Sequence, residues 1–101
     1  MINGQLTGAQ LITKERAEQI IKHNRTLKHD SLLWTEKQLK KAAKALLQSK
    51  LHTRLRRRPS GFDTPLWVKI CNKPEKERLV IAGAFLAAEI DRITLSNTKE
   101  D

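Results

Sequence analysis

Residues 74–95 carry the most apolar helical pattern in the chain. Pro74 suits a first helical turn, where its missing N–H costs nothing. The apolar positions then fall on two stripes, Leu79, Ala82, Leu86, Ile90 and Ile93 on one and Ile81, Phe85 and Ala88 on the other. A helix that is apolar on several sides is typical of the centre of a bundle. We therefore expect a central core helix here, with both stripes buried.

Gly83 lies between two alanines in this helix. We interpret this run of small residues as a close crossing with a second helix, and a dimer face or ligand face is the alternative. The apolar run is about half of the ~20 residues that a membrane span requires. Charged residues follow it at once, so a membrane partner is not expected.

The clearest periodicity begins after Thr35. Thr35 and Gln38 stand three residues apart, as in a capping box. Apolar residues then recur at spacings of three and four, which predicts one buried stripe of Leu39, Ala42, Ala43, Leu46, Leu47, Leu51 and Leu55. We expect a single helix that runs to about Leu55 and is ended by Pro59.

The remaining segments complete a small all-α fold. Thr13 is a candidate cap for a helix that ends near His23 or Asn24, after a flexible arm at residues 1–12. Residues 60–65 form the clear loop, and short helical turns are expected near Leu32 and Trp67. The sequence thus predicts one helical domain at residues 13–95, a bundle of three main helices plus short turns, with a frayed tail at 96–101.

Charge is the most informative feature of the composition. The chain has 20 Lys and Arg against 11 Asp and Glu, a formal net charge of +9. Nine of the basic residues, and no acidic residue, lie between Lys37 and Arg58, and the rest of the chain balances at eleven against eleven. We call residues 37–58 the basic segment. Such a concentrated block favours a polyanionic or acidic partner.

The candidate contacts for such a partner come from the basic segment and from the two aromatic residues that follow it. They are Lys37, Lys40, Lys41, Lys44, Arg54, Arg56, Arg57, Arg58, Phe62 and Trp67. An apolar anchor beside a basic rim favours a protein partner. The alternative is sequence-independent binding of DNA or RNA through phosphate contacts. No helix-turn-helix signature is visible, and none of the four aromatic residues lies inside the basic segment.

Catalytic readings are weaker. The single Cys71 has no obvious base near it in sequence, so we interpret it as a buried small apolar residue and expect no disulfide. A metal site from His23, His29, Asp30 and Asp91 would have poor ligand spacing. A magnesium site from Glu15, Glu18, Glu89 and Asp91 would have basic residues interleaved with its acids. We therefore expect no catalytic residue, no metal and no cofactor.

Several motifs together resemble a family of small phage and prophage proteins. They are Glu15-Arg16-x-x-Gln19-Ile20, Thr26-x-x-His29-Asp30, Leu39-x-x-Ala42-Ala43, Trp67, Lys73-Pro74, and Leu79-Val80-x-Ala82-Gly83-Ala84 followed by Glu89-Ile90-Asp91-Arg92. The resemblance spans residues 12–93. It implies a phage accessory protein that acts in a bacterial cytoplasm, and it implies no activity. Asn24-Arg25 and Ser31 depart from the family pattern.

The same outline is faintly similar to the all-α nucleotide pyrophosphatases. Their metal-binding helix begins Glu-Glu-x-x-Glu, and here Glu36 keeps one acid while Lys37 and Lys40 stand at the other two positions. A lysine cannot coordinate Mg²⁺, because Mg²⁺ needs oxygen ligands. The similarity therefore implies a site converted from cation binding to anion binding, with a pyrophosphatase-like enzyme as the outside alternative.

We expect a non-enzymatic basic protein that binds and modulates a host macromolecule. A host nuclease or recombination complex is a candidate partner, and binding to it would make this chain an anti-defence protein. A homodimer is compatible with the sequence.

Overall fold

The structure is a computed structural model, and it describes residues 5–22 and 38–99. These residues form five helices: α1 (Gly8–Lys22), α2 (Gln38–Leu46), α3 (Leu51–Arg56), α4 (Thr64–Cys71) and α5 (Glu75–Lys99). The described residues contain no strand. The prediction of a small all-α domain is confirmed. The turn expected near Leu32 lies outside the described residues.

Helix α5 is the centre of the fold, as the sequence predicts. It begins directly after Pro74, whose carbonyl accepts from the N–H of Arg78 at 3.0 Å. Both α1 and α2 pack against it, and Ile81, Phe85 and Ala88 are buried. The helix continues to Lys99, past the expected end at Leu95. Among the described helices, none combines the length and apolar character that crossing a membrane requires.

One apolar stripe of α5, formed by Leu79, Ala82, Leu86, Ile90 and Ile93, was expected to be buried, and this expectation is wrong. Of its five residues only Ala82 is buried, and the four large ones are between 42% and 63% exposed: Leu79, Leu86, Ile90 and Ile93. The buried side of α5 combines Ile81 and Phe85 with three alanines, and Gly83 lies against Ile12 of α1. The bulky stripe is left on the uncovered side.

Gly83 marks the closest approach between α1 and α5. A Cβ built on Gly83 would lie 2.6 Å from Cδ1 and 2.9 Å from Cγ1 of Ile12. Both distances are shorter than van der Waals contact, so even an alanine would force Ile12 to move. The interpretation of Gly83 as a close helix crossing is confirmed.

Helix α1 begins at Gly8 and not at Thr13. Thr7 and Gln10 form a reciprocal cap: the Gln10 N–H donates to Thr7 Oγ1 at 3.2 Å, and the Thr7 N–H donates to Gln10 Oε1 at 2.8 Å. This is a capping box that the sequence carries in plain form. Thr13 lies inside the helix, and its hydroxyl donates to the Ala9 carbonyl. Residues 8–12, expected in a flexible arm, are therefore helical.

A single helix was expected to run to Leu55, and this expectation is also wrong. Helix α2 ends at Leu46, and α3 begins at Leu51. The N–H groups of Leu47 and Gln48 bond to carbonyls three residues back, which tightens and ends α2. The Gln48 carbonyl then accepts from the Arg54 side chain at 2.8 Å. Leu47 and Leu51, expected in the buried stripe, are 55% and 39% exposed.

Helix α4 has a cap and an aromatic cluster at its start. Asp63 accepts from the Leu66 N–H at 2.9 Å, and Pro65 occupies the first turn. Gly61 precedes it with a φ of 89°, which a residue with a Cβ rarely adopts. Phe62 packs edge-to-face on Trp67 at 5.4 Å and on Phe85 at 5.6 Å between ring centroids. The short helix expected at Trp67 is confirmed.

Candidate interaction surface

Helix α2 separates its apolar and basic residues onto opposite sides. Leu39, Ala42, Ala43 and Leu46 are at most 1% exposed. Three exposed lysines lie on the other side: Lys40, Lys41 and Lys44. The 3.6-residue turn places these lysines on one face, with Lys40 and Lys44 one turn apart. Because the apolar side of α2 is buried, the lysines on the opposite side face solvent.

Four more exposed cations flank α3, which packs against α2. Lys50 immediately precedes α3, Arg56 is its last residue, and Arg57 and Arg58 follow it. Arg58 also donates to the Phe62 carbonyl at 2.6 Å, which holds its side chain near the loop. We call these seven residues the basic surface: Lys40, Lys41, Lys44, Lys50, Arg56, Arg57 and Arg58.

No carboxylate lies between Gln38 and Phe62 in the sequence. None of the seven cations has an ion-pair partner among residues 5–22 and 38–99. Within the described residues, no carboxylate offsets the repulsion between these charges. Such a surface attracts anions and releases bound counterions when an anionic partner replaces them.

Arg54 is not part of this surface, which corrects its assignment as a partner contact. It is 6% exposed. Its Nε donates to the Cys71 carbonyl at 3.1 Å, and another guanidinium nitrogen donates to the Gln48 carbonyl. The Arg54 carbonyl in turn accepts from Trp67 Nε1 at 3.0 Å. Arg54 therefore joins α3, α4 and the preceding turn from inside the protein.

The assignment of Phe62 and Trp67 as apolar anchors for a partner is also corrected. Phe62 is 3% exposed and Trp67 is 1% exposed. Both belong to the core cluster with Phe85, so neither can contact a partner in this fold. Lys37, the remaining candidate, lies outside the described residues.

Sequence reasoning missed two apolar residues next to the basic surface, Leu47 and Leu51. Both are exposed because α2 ends at Leu46. One signal was available: Leu46 and Leu47 are adjacent, and adjacent helical residues point about 100° apart, so a narrow buried stripe cannot hold both equally well. Unlike Phe62 and Trp67, these two leucines are exposed, and both lie within the basic segment.

Three of the four acidic candidates for a magnesium site, Glu15, Glu89 and Asp91, contact neighbouring side chains. Glu89, 7% exposed, accepts from Arg92 at 2.7 and 3.2 Å. This hydrogen bond raises the pKa of Arg92 further above its ordinary value. Asp91 pairs with Arg16 at 3.5 Å, and Glu15 accepts from Gln19. Among the described residues, no group of three or more His, Cys, Asp or Glu side chains could hold a metal ion. His23, His29 and Asp30 lie outside the described residues.

Cys71 is fully buried, as expected for a small apolar residue. Burial raises the pKa of its thiol, and the positive charges of Arg54 and Arg78 only partly oppose this. The thiol is therefore held in its protonated, unreactive form.

The chain was also compared with known proteins. No family model, no curated protein and no solved structure matches it. What the chain binds is therefore inferred from its own residues.

Proposed function

We propose that this protein is a non-enzymatic binding protein whose basic surface docks against an acidic surface of another protein. The observation that supports this is a set of seven exposed cations that have no ion-pair partner within residues 5–22 and 38–99, in a stretch of sequence without a carboxylate. The resemblance to phage proteins suggests a partner from a bacterial host, in the cytoplasm. A nuclease or recombination complex, whose function the binding would modulate, is the class of partner we propose.

The stability of α2 supports a binding role. Lys40 and Lys44 are like charges one turn apart, which costs a helix about 0.2–0.5 kcal/mol. Lys41 adds a third positive charge to the same short helix. A face that served only for solubility could alternate acids and bases and gain stability. Three unpaired lysines are instead expected where a partner supplies the negative charge.

The exposed leucines favour a protein over a nucleic acid. Leu47 and Leu51 lie within the basic segment and offer apolar area that a phosphate backbone does not use. Protein interfaces have an apolar core and a polar, charged rim, and two exposed leucines among lysines and arginines fit this arrangement. Phe62, Trp67 and Phe85 are all buried, so the described residues offer no exposed aromatic side chain for stacking on bases.

Direct nucleic-acid binding is the second candidate, and the absence of any carboxylate from Gln38 to Phe62 favours it. It would take the form of phosphate contacts without base readout. Its signature is an affinity for duplex DNA that falls with salt, with a log–log slope near −0.9 per phosphate contacted.

Capture from bacterial lysate, with and without nuclease, tests the proposal. We expect the immobilised protein to retain a discrete acidic protein after nuclease treatment. We also expect the purified protein to bind duplex DNA weakly at about 0.15 M salt, where the Debye length is ~8 Å. Loss of all retained protein after nuclease, together with tight and salt-sensitive DNA binding, would replace this proposal with the second candidate.

A further inference from the structure

A cleft of about 580 Å³ lies between α1, α4 and α5, and it shares no residue with the basic surface. Its floor is apolar, formed mainly by Leu66, Ile70, Val80 and Ile81. Its volume falls in the range of ~300–1,000 Å³ that small-molecule sites occupy. A cleft of this size can accept one small molecule.

Gln19 contributes a buried polar side chain to the lining of the cleft. This residue lines the cleft and is only 3% exposed. Its Nε2 donates to Glu15 Oε2 at 3.1 Å, which fixes the orientation of the amide because a carboxylate can only accept. The other end, Oε1, is buried and has no hydrogen-bond partner among the described residues. A buried acceptor without a donor is costly, so a ligand N–H that reached it would be favoured.

The charged residues that line the cleft leave an excess of one positive charge. They are four lysines, Lys14, Lys69, Lys73 and Lys76, and three glutamates, Glu15, Glu18 and Glu77. Lys73 pairs with Glu77 at 4.0 Å, and the other three lysines have no ion-pair partner within residues 5–22 and 38–99. Lys76 belongs to the first turn of α5, where the helix dipole adds positive potential and Glu75 and Glu77 offset part of it.

We propose that this cleft binds a small amphipathic anion: a ring-sized apolar body that carries an acidic group and one N–H donor. The apolar body covers Ile70 and Val80, the acidic group lies between Lys69 and Lys76, and the N–H donates to Gln19 Oε1. Each part of the ligand is set by one observed part of the cleft. Binding of this ligand is independent of the macromolecular partner.

6-Anilinonaphthalene-2-sulfonate is a suitable probe, because it joins two apolar ring systems through an N–H and carries one sulfonate at the far end of the naphthalene, where the N–H cannot bond to it. We expect one probe per protein by calorimetry, with amide shifts in NMR confined to α1, α4 and the first half of α5. N-phenylnaphthylamine, which lacks the sulfonate, should bind roughly tenfold more weakly to the wild type. The double variant Lys69→Gln/Lys76→Gln should reduce this difference to less than about threefold.

The Gln19 contact is tested by a second matched probe, phenoxynaphthalenesulfonate, in which an ether oxygen replaces the N–H. Losing the donor should weaken binding to the wild type by roughly three- to tenfold and should change nothing in Gln19→Leu. If Gln19→Leu does not fold, the two probes are compared on the wild type and on Val80→Phe, whose larger side chain fills the cleft. This comparison shows whether the N–H of the probe contributes to binding in the cleft. Val80→Phe should abolish binding of both probes.

Two controls separate this cleft from other surfaces. Lys40→Gln/Lys44→Gln removes the same charge from the basic surface, and Leu86→Ser removes apolar area from the uncovered side of α5. Neither should change the affinity by more than about twofold. Unchanged binding in Val80→Phe, or an equal loss in either control, would contradict the proposed site.

Discussion

Arg54 and Arg56 lie two residues apart on α3 but have opposite environments. Arg54 is buried and donates to two backbone carbonyls, whereas Arg56 is exposed and unpaired in the described structure. The difference follows from the side of the helix on which each residue lies, because only one side of α3 meets α4. Identical chemistry therefore serves the core at one position and the surface at the other.

The first prediction concerns Arg54. Arg54→Leu should destabilise the protein by about 2–4 kcal/mol, because it leaves the carbonyls of Gln48 and Cys71 without their charged donor. Arg56→Leu should change stability by less than about 0.5 kcal/mol. Urea unfolding followed by circular dichroism measures both. Equal midpoints for the two variants would show that the Arg54 contacts contribute nothing.

The second prediction concerns the thiol of Cys71. Its raised pKa means that the folded state holds this proton more tightly than the unfolded state does. The resulting stability is present below the unfolded pKa of about 8.5 and is lost as the pH rises above it. At pH 8 we expect the thiol of the native protein to react with a disulfide reagent at least roughly tenfold more slowly than that of the urea-unfolded chain. Equal rates would contradict the burial.

At the scale of single helices, α2 carries a like-charge pair that its own stability does not favour. The third prediction is that Lys40→Glu stabilises the protein by about 0.5–1 kcal/mol, because a Glu four residues before Lys44 replaces repulsion with attraction. The same change should weaken partner capture, since it adds a negative charge to the basic surface. Thermal unfolding and capture are measured on one preparation. A variant that is more stable and binds normally would remove Lys40 from the interface.

The crossing of α1 and α5 gives the fourth prediction. Gly83→Leu should destabilise the protein by about 1–3 kcal/mol, because the new side chain overlaps Ile12. The matched control is Gly8→Leu, since a Cβ at Gly8 would meet nothing within 4 Å. Ile12→Ala should recover part of the loss in the Gly83→Leu background. Similar melting temperatures for the two glycine variants would contradict the crossing.

The helices were predictable where a local signal exists. The position of α5 follows from Pro74 and its apolar run, and that of α4 follows from the apolar residues around Trp67. The start of α1 is also a local feature, since Thr7 and Gln10 form its cap. Thr13 has the same residue type as Thr7, so cap preference alone does not distinguish the two positions. Which side of α5 is buried could not be predicted from its local sequence. Leu86 and Phe85 are both large and apolar, and only the placement of α1 and α2 decides which one is covered.

The candidate site was predictable only in part, for the same reason. The lysines of α2 could be placed because the buried stripe of that helix is unambiguous. Arg54 could not be separated from Arg56, because the break at Gln48 rotates α3 away from the expected continuous helix. Phe62 and Trp67 were expected beside a partner because they follow the arginines, but their edge-to-face packing with Phe85 is a tertiary contact that no local pattern contains.

At the scale of the whole molecule, the net charge of +9 is concentrated on one segment of an otherwise balanced chain. The core is made by α5 with its neighbours, and the basic surface contributes exposed cations at some cost to α2. This division separates the residues that fold the protein from those available for binding. Except at Arg58, which also bonds to the Phe62 carbonyl, we expect that charge on the basic surface can be changed without unfolding the protein.

The most direct test of the basic surface compares two variants of equal net charge. Lys44→Gln/Arg56→Gln/Arg57→Gln removes three cations from the basic surface, and Lys14→Gln/Lys69→Gln/Lys76→Gln removes three exposed cations elsewhere. Each lowers the formal net charge from +9 by three, to +6. Arg58 is left unchanged because its side chain also bonds to the Phe62 carbonyl.

The measurement is the amount of partner retained from nuclease-treated lysate by each variant at about 0.15 M salt. We predict that the first variant retains roughly tenfold less than the wild type, mainly through slower association, and that the second retains the wild-type amount. Equal losses in the two variants would mean that net charge alone drives binding. Full retention by the first variant would show that the partner binds elsewhere, and either result contradicts the assignment of the basic surface.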